Sequence, residues 1–122
     1  MDWMSVAVVV QLVVAFGLIN VWVFRARTRT PYRGGESRSL SGEFDAYGLP
    51  KWMFYVVGAM KISSAALLIA GVWVPALVTP AAIMLTALMF GAIAMHFKVR
   101  DPWVKSLPAS AMLALSVAML VL

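Results

Sequence analysis

The chain has 122 residues, of which 63% are hydrophobic and 12% charged, and ten Lys and Arg against five Asp and Glu give a formal charge of +5. A water-soluble domain carries about 25% charged residues, so too few polar side chains exist here to cover a water-facing surface, and a soluble globule is excluded. Cysteine is absent, which excludes a disulfide framework, a thiolate metal site, iron–sulfur ligation and thiol catalysis.

Four apolar segments follow in chain order. The first runs from about residue 3 to 24 and contains the run Val6-Ala7-Val8-Val9-Val10. Its β-branched residues suit a strand, but a lone strand in lipid leaves its backbone groups unpaired, so a helix is predicted. A cleaved signal peptide is the other reading of this segment. Asp2 stands where a basic residue is expected and the apolar stretch is too long. Arg25, Arg27 and Arg29 follow it as a stop-transfer cluster, so a retained helix is expected. The second segment covers about 52–72, the third 76–97 and the fourth 103–122, loosely begun because of Pro108. About 20 residues at 1.5 Å each cross a hydrocarbon core of roughly 30 Å. The prediction is an all-α, integral membrane four-helix bundle, a single domain over residues 1–122.

The basic residues set the orientation. Arg25, Arg27, Arg29, Arg33, Arg38 and Lys51 lie between the first two segments, and Lys98, Arg100 and Lys105 between the last two. With four crossings both groups fall on one side, which the positive-inside rule makes cytoplasmic, leaving both termini outside. This asymmetry accounts for the positive charge. No nucleic-acid-binding motif accompanies it, so nucleic acid is not expected as a partner, and anionic lipid headgroups are.

The 25–51 loop has a polar, Gly/Pro-punctuated first half and a second half, SGEFDAYGLPKW, that mixes acids with aromatics. One reading of the second half is a connector anchored at the interface by Phe44 and Tyr47. The other folds it over the bundle as a lid, bringing Glu43 or Asp45 near the helices. Small residues are expected to mark the packing faces. Ala59, Ser63, Ala66 and Ala70 are candidates in the second segment, Ala87 and Gly91 in the third, and Ser110, Ala114 and Ala118 in the fourth. The same faces suit a homodimer seam.

Polar residues within the segments are few. Lys61 lies about ten residues into the second, hence about 15 Å deep, and Gln11 and Thr86 should lie at similar depth. Asn20 and His96 sit near the predicted cytoplasmic ends. A central lysine costs about 2.5–3.5 kcal/mol on insertion scales, so such groups are functional candidates by default. Lys61 either binds an anionic or carbonyl group, or moves a proton, in a polar cavity, or it snorkels or hydrogen-bonds to Ser64 and Gln11. His96 is either an interfacial histidine or a cytoplasm-facing acid/base group. As a haem ligand it is a weaker candidate, since the single histidine supplies one axial ligand per chain.

Gly48-Leu49-Pro50-Lys51-Trp52, Tyr55-x-x-Gly58-x-x-Lys61 and the small, apolar run to Gly71 resemble the second helix of DoxX-like membrane proteins. Gly91-Ala92-Ile93-Ala94-Met95-His96, a short charged loop and Leu107-Pro108-Ala109 are similar to the same family's pattern. The resemblance covers residues 5–122 and implies a four-helix bundle in a bacterial-type inner membrane. It also implies a tie to quinone-coupled sulfur oxidation, as in the small subunit of thiosulfate:quinone oxidoreductase, or to membrane redox and oxidative-stress complexes. Without cysteine, a redox role here means quinone binding or anchoring of a soluble partner.

Three function classes follow. The first is a quinone- or lipid-binding membrane subunit, with Trp52, Phe54 and Tyr55 flanking an apolar pocket, and Lys61, Gln11 and Asn20 positioning a polar head. A soluble redox partner would dock on the 25–51 loop. The second is a small enzyme or isomerase acting on an apolar substrate, with Lys61 and His96 as the catalytic acid/base pair, although their difference in depth argues against a shared reacting atom. The third is a transporter with a water-filled path lined by Gln11 and Thr86. No segment carries the embedded acid that small multidrug exporters use, and no inverted repeat is apparent.

Overall fold

A computed structural model describes residues 3–24, 34–35 and 39–122. The basic residues Arg25, Arg27, Arg29, Arg33 and Arg38 lie outside the described residues. Helix α1 spans Trp3–Ile19 and continues as a single π-helical stretch, Asn20–Phe24. A short helix α2 covers Leu40–Ala46, and α3 covers Lys51–Ala70. A 3₁₀ turn at Pro75–Leu77 leads into α4, Val78–Lys98, and another at Trp103–Ser106 leads into α5, Leu107–Val121. No strand occurs among the described residues. Four helical stretches, Ser5–Phe24, Lys51–Ala70, Pro75–Lys98 and Trp103–Val121, are long and apolar enough to cross a membrane, and the chain is a multi-pass membrane protein.

Local chemistry explains the boundaries. The valine run of α1 is helical because only a helix pairs all its backbone groups within one spanning segment. Pro80 and Pro108 both sit in the first turn of their helices, where the missing N–H has no intrahelical acceptor to lose. Gly71 closes α3, and a Cβ there would come within 2.7 Å of the Val78 side chain. The tight Gly71–Val74 turn therefore has room only for hydrogen at that position.

The spans form a ring in which α3 touches α1 and α4, and α5 touches α4 and α1. The main core joins Val14, Ala15 and Leu18 of α1, Ala65 and Leu68 of α3, Leu85 and Met89 of α4, and Met119 of α5. Close approach does rest on small residues, as lipid packing requires, but they are Ala15, Ala65, Ala81 and Ala82, all almost fully buried. The stripes singled out from spacing are left unpacked: Ala59, Ser63, Ala66, Ser110 and Ala114 are exposed, and Ala87 and Gly91 are exposed where they line a cavity between the spans. Spacing identified faces of small residues but could not say which face meets a neighbour.

A second, aromatic cluster fills the end that carries the two basic loops. Trp22 stacks on Phe54 at a centroid distance of 5.5 Å, and Phe44 of α2 meets Phe54 edge-on at 5.5 Å and Trp22 at 6.1 Å. Each such pair is worth about 0.5–1.5 kcal/mol beyond area burial. These contacts seat α2 on the bundle. The second half of the loop is thus folded over the helices rather than trailing as a connector, with Glu43 turned inward and Asp45 left exposed.

Candidate functional site: a roofed cavity at the basic end

Two helix C-termini meet at this end, and each is closed the same way. After α2, Gly48 takes a left-handed φ of 73°, its N–H bonds Asp45 O at 3.0 Å, and Leu49 N–H bonds Phe44 O at 3.0 Å. After α4, Arg100 takes a left-handed φ of 56°, its N–H bonds Phe97 O at 3.1 Å, and Asp101 N–H bonds His96 O at 3.0 Å. Both are Schellman closures, which satisfy the last carbonyls of a helix. The second folds Asp101 back against the helix it has just left.

That return assembles a polar cluster around Asp101. His96 Nδ1 lies 2.7 Å from Asp101 Oδ2, with both side chains nearly buried. Asp101 also accepts from Gly35 N–H at 2.9 Å, and Lys105 Nζ stands 3.7 Å from its Oδ1 while donating to the Gly35 carbonyl. The Tyr47 ring meets His96 edge-on at 5.9 Å, and Lys98 Nζ donates to Tyr47 O at 2.7 Å. Gly34 N–H donates to Glu43 Oε1 at 2.8 Å. A Cβ on Gly34 would fall within 2.3 Å of Tyr47 Oη, so the loop rests directly on that ring.

Beneath this roof lies a cavity of about 600 Å³ between the four spans. Its walls are apolar, supplied by Leu18, Val57, Leu88, Met95, Met112 and Leu115, whereas Glu43, Lys61, His96, Lys105 and Asn20 supply its polar groups. The arrangement is that of an amphiphile's complement, with most of the wall greasy and a few hydrogen-bonding groups set into it. Half-buried Lys61 holds its Nζ 5.2 Å from the centroid of the Trp22 ring, a distance at which the ring face attracts an ammonium.

The six residues selected from sequence are divided by the fold. Lys61, His96 and Asn20 line the one cavity. Gln11 does not line it. This buried side chain donates from Nε2 to Leu68 O at 2.7 Å, tying α1 to α3. Thr86 bonds the Ala82 carbonyl of its own helix at 2.8 Å. Tyr55 and Trp52 are each 63% exposed, and Phe54 packs on Trp22 instead of flanking a pocket with them. Ser64 bonds Met60 O, so neither Ser64 nor Gln11 is spent on Lys61.

Sequence reasoning gave Trp22, Lys105 and Asp101 no role in a site. Trp22 read as the end of a span and Lys105 as a topology charge. Asp101 carried one usable signal, its place before Pro102 just past a helix end, where chain reversal is common.

The sequence pattern of the DoxX-like family matches residues 33–119, and the chain belongs to that family. No curated protein matches the chain, and no solved structure does.

Proposed function

We propose that this DoxX-like protein is a membrane subunit that holds a quinone or another lipid-like amphiphile in the cavity roofed by α2. The observation that carries the reading is the partition of that cavity, with Lys61, Glu43 and His96 gathered on walls that are otherwise apolar. A quinone head fits the donor set. Its carbonyl oxygens accept hydrogen bonds, which Lys61 donates, and its ring and prenyl tail suit the Met and Leu walls. When bound, a quinone supplies two-electron carrier chemistry; this chain's own residues bind, orient and exclude water.

The positive-inside rule supports a cytoplasmic placement of the roofed end, in a bacterial-type inner membrane with both termini outside. On that reading a soluble redox partner docks on the 25–51 loop, whose residues Glu43, Phe44 and Tyr47 line the cavity.

Native mass spectrometry of the gently solubilised protein, with lipid extraction of the same sample, tests the proposal. A stoichiometric quinone or isoprenoid, lost in Lys61→Met while the fold persists, is the expected result. A wild-type protein that carries no such molecule, and takes none up from quinone-loaded vesicles, overturns it.

One observation favours a second reading. Lys61 and His96 line the same cavity despite their different depths, so an acid/base enzyme acting on an apolar substrate is also open to them. Turnover of such a substrate that Lys61→Met abolishes would favour it over a binding subunit.

A further inference from the structure

The orientation of His96 is fixed from outside the cavity. Asp101 does not line the cavity, and it faces Nδ1 at 2.7 Å. A carboxylate offers only lone pairs, so Nδ1 must carry the hydrogen of that bond. The imidazole thereby has its Nδ1 turned outward and its opposite nitrogen, Nε2, on the cavity side. His96 Nε2 has no hydrogen-bond partner among the described residues. In the neutral ring it bears a lone pair and nothing else. Asp101 is also engaged by Gly35 N–H and flanked by Lys105, which hold its carboxylate in place beside the ring. Among the described residues, the other ionisable groups lining the cavity are Glu43, Tyr47, Lys61 and Lys105, with Lys98 beyond the Tyr47 carbonyl.

We infer that His96 is a hydrogen-bond acceptor that reads the head group of the bound molecule, and that Asp101 is its positioning residue. The cavity then selects an amphiphile whose head donates a hydrogen bond, a phenol or quinol hydroxyl, over the same molecule with that hydrogen replaced. This deepens the ligand-binding reading and rests on it. The physical warrant is that a site built to pair with a hydroxyl discriminates strongly against an analogue lacking it, because the site's own polar group is then left unpaired.

The chain's single histidine makes the test direct. Protein labelled with ¹⁵N-histidine and held in lipid nanodiscs, at a pH well above the ordinary histidine value of ~6.5, gives one imidazole pattern. Nδ1 is expected in the N–H range and Nε2 in the bare-nitrogen range. The probes are 4-nonylphenol and its methyl ether, 4-nonylanisole. The phenol should shift the Nε2 signal saturably and bind about tenfold more tightly than the ether, the worth of one ordinary hydrogen bond. Asp101→Asn should mix or reverse the tautomers and abolish the preference between probes, while the ether's own affinity holds. If that variant does not fold, the wild-type pattern and the probe pair still decide.

An Nε2–H tautomer in the wild-type protein overturns the inference. So do equal affinities for the two probes with Nε2 unmoved, although that result leaves the ligand-binding cavity standing. Saturable binding of neither probe removes both.

Discussion

The indole of Trp22 lies against the bare Cα of Gly58, so close that a Cβ on Gly58 would stand 2.7 Å from Trp22 Cζ3. The aromatic cluster depends on this approach, since Trp22 also carries Phe44 and Phe54 and faces Lys61. A rigid ring held by Phe54 and Phe44 cannot yield as a flexible side chain would.

Gly58→Ala should therefore destabilise the protein by roughly 1–3 kcal/mol, the usual range for overpacking, even though alanine is the better helix former. Gly91→Ala is the control, because a Cβ there meets nothing within 4 Å. It should be neutral or stabilising by up to about 1 kcal/mol. Unfolding midpoints in mild detergent compare the two, and equal shifts would contradict the packing argument.

Gly34→Ala should lift the loop from the Tyr47 ring, since no rotamer removes a Cβ from the path of that ring. The expected sign is a several-fold faster proteolytic cleavage between residues 34 and 48, with the spans still protected. An unchanged rate would mean that the loop does not hold α2 in place.

Lys98→Met removes the ammonium that bonds Tyr47 O. One such part-buried hydrogen bond is worth about 1 kcal/mol, so the Gly48 and Leu49 amides, which close the α2 terminus, should exchange about fivefold faster with deuterium. Amides in the middle of α4 should not change.

Arg100 is the one described non-glycine residue with positive φ. The left-handed conformation costs an ordinary side chain about 1–2 kcal/mol, so Arg100→Gly should be neutral or stabilising. Arg100→Val, β-branched and poorly suited to that region, should be destabilising. It should also disturb the ¹⁵N pattern of His96, because the turn is what returns Asp101 to the ring. A normal His96 pattern in Arg100→Val would separate the turn from the pairing.

The family and the four spans were legible because lipid leaves so few choices. Long apolar runs such as 76–97 have no other stable form across a bilayer. The roof was half legible: the acids and aromatics of SGEFDAYGLPKW allowed a lid or a connector, and only packing against Trp22 and Phe54 decides between them. Lys61 stood out because a mid-span charge is costly wherever it points. Gln11 and Thr86 stood out equally, yet their hydrogen bonds are spent on backbone carbonyls, which residue type does not reveal. Asp101 was hidden for a conformational reason. At Gly48 a glycine announces the left-handed closure, whereas at Arg100 the same closure is made by a residue that gives no sign of it.

The bonds of Asp101 also bear on how the protein is made. Gln11 pairs with Leu68 across 57 positions, so α1 and α3 can lock together as soon as the second span has entered the membrane. Gly35 waits for Asp101, 66 positions later, and Asp101 reaches His96 only after α4 has ended and its closing turn has formed. Since chains emerge from the ribosome N-terminus first, the roof is the last part of this end to set. A nascent chain stalled before residue 101 would hold three inserted spans beneath an unlatched loop, and any molecule that enters from that side has its freest access then.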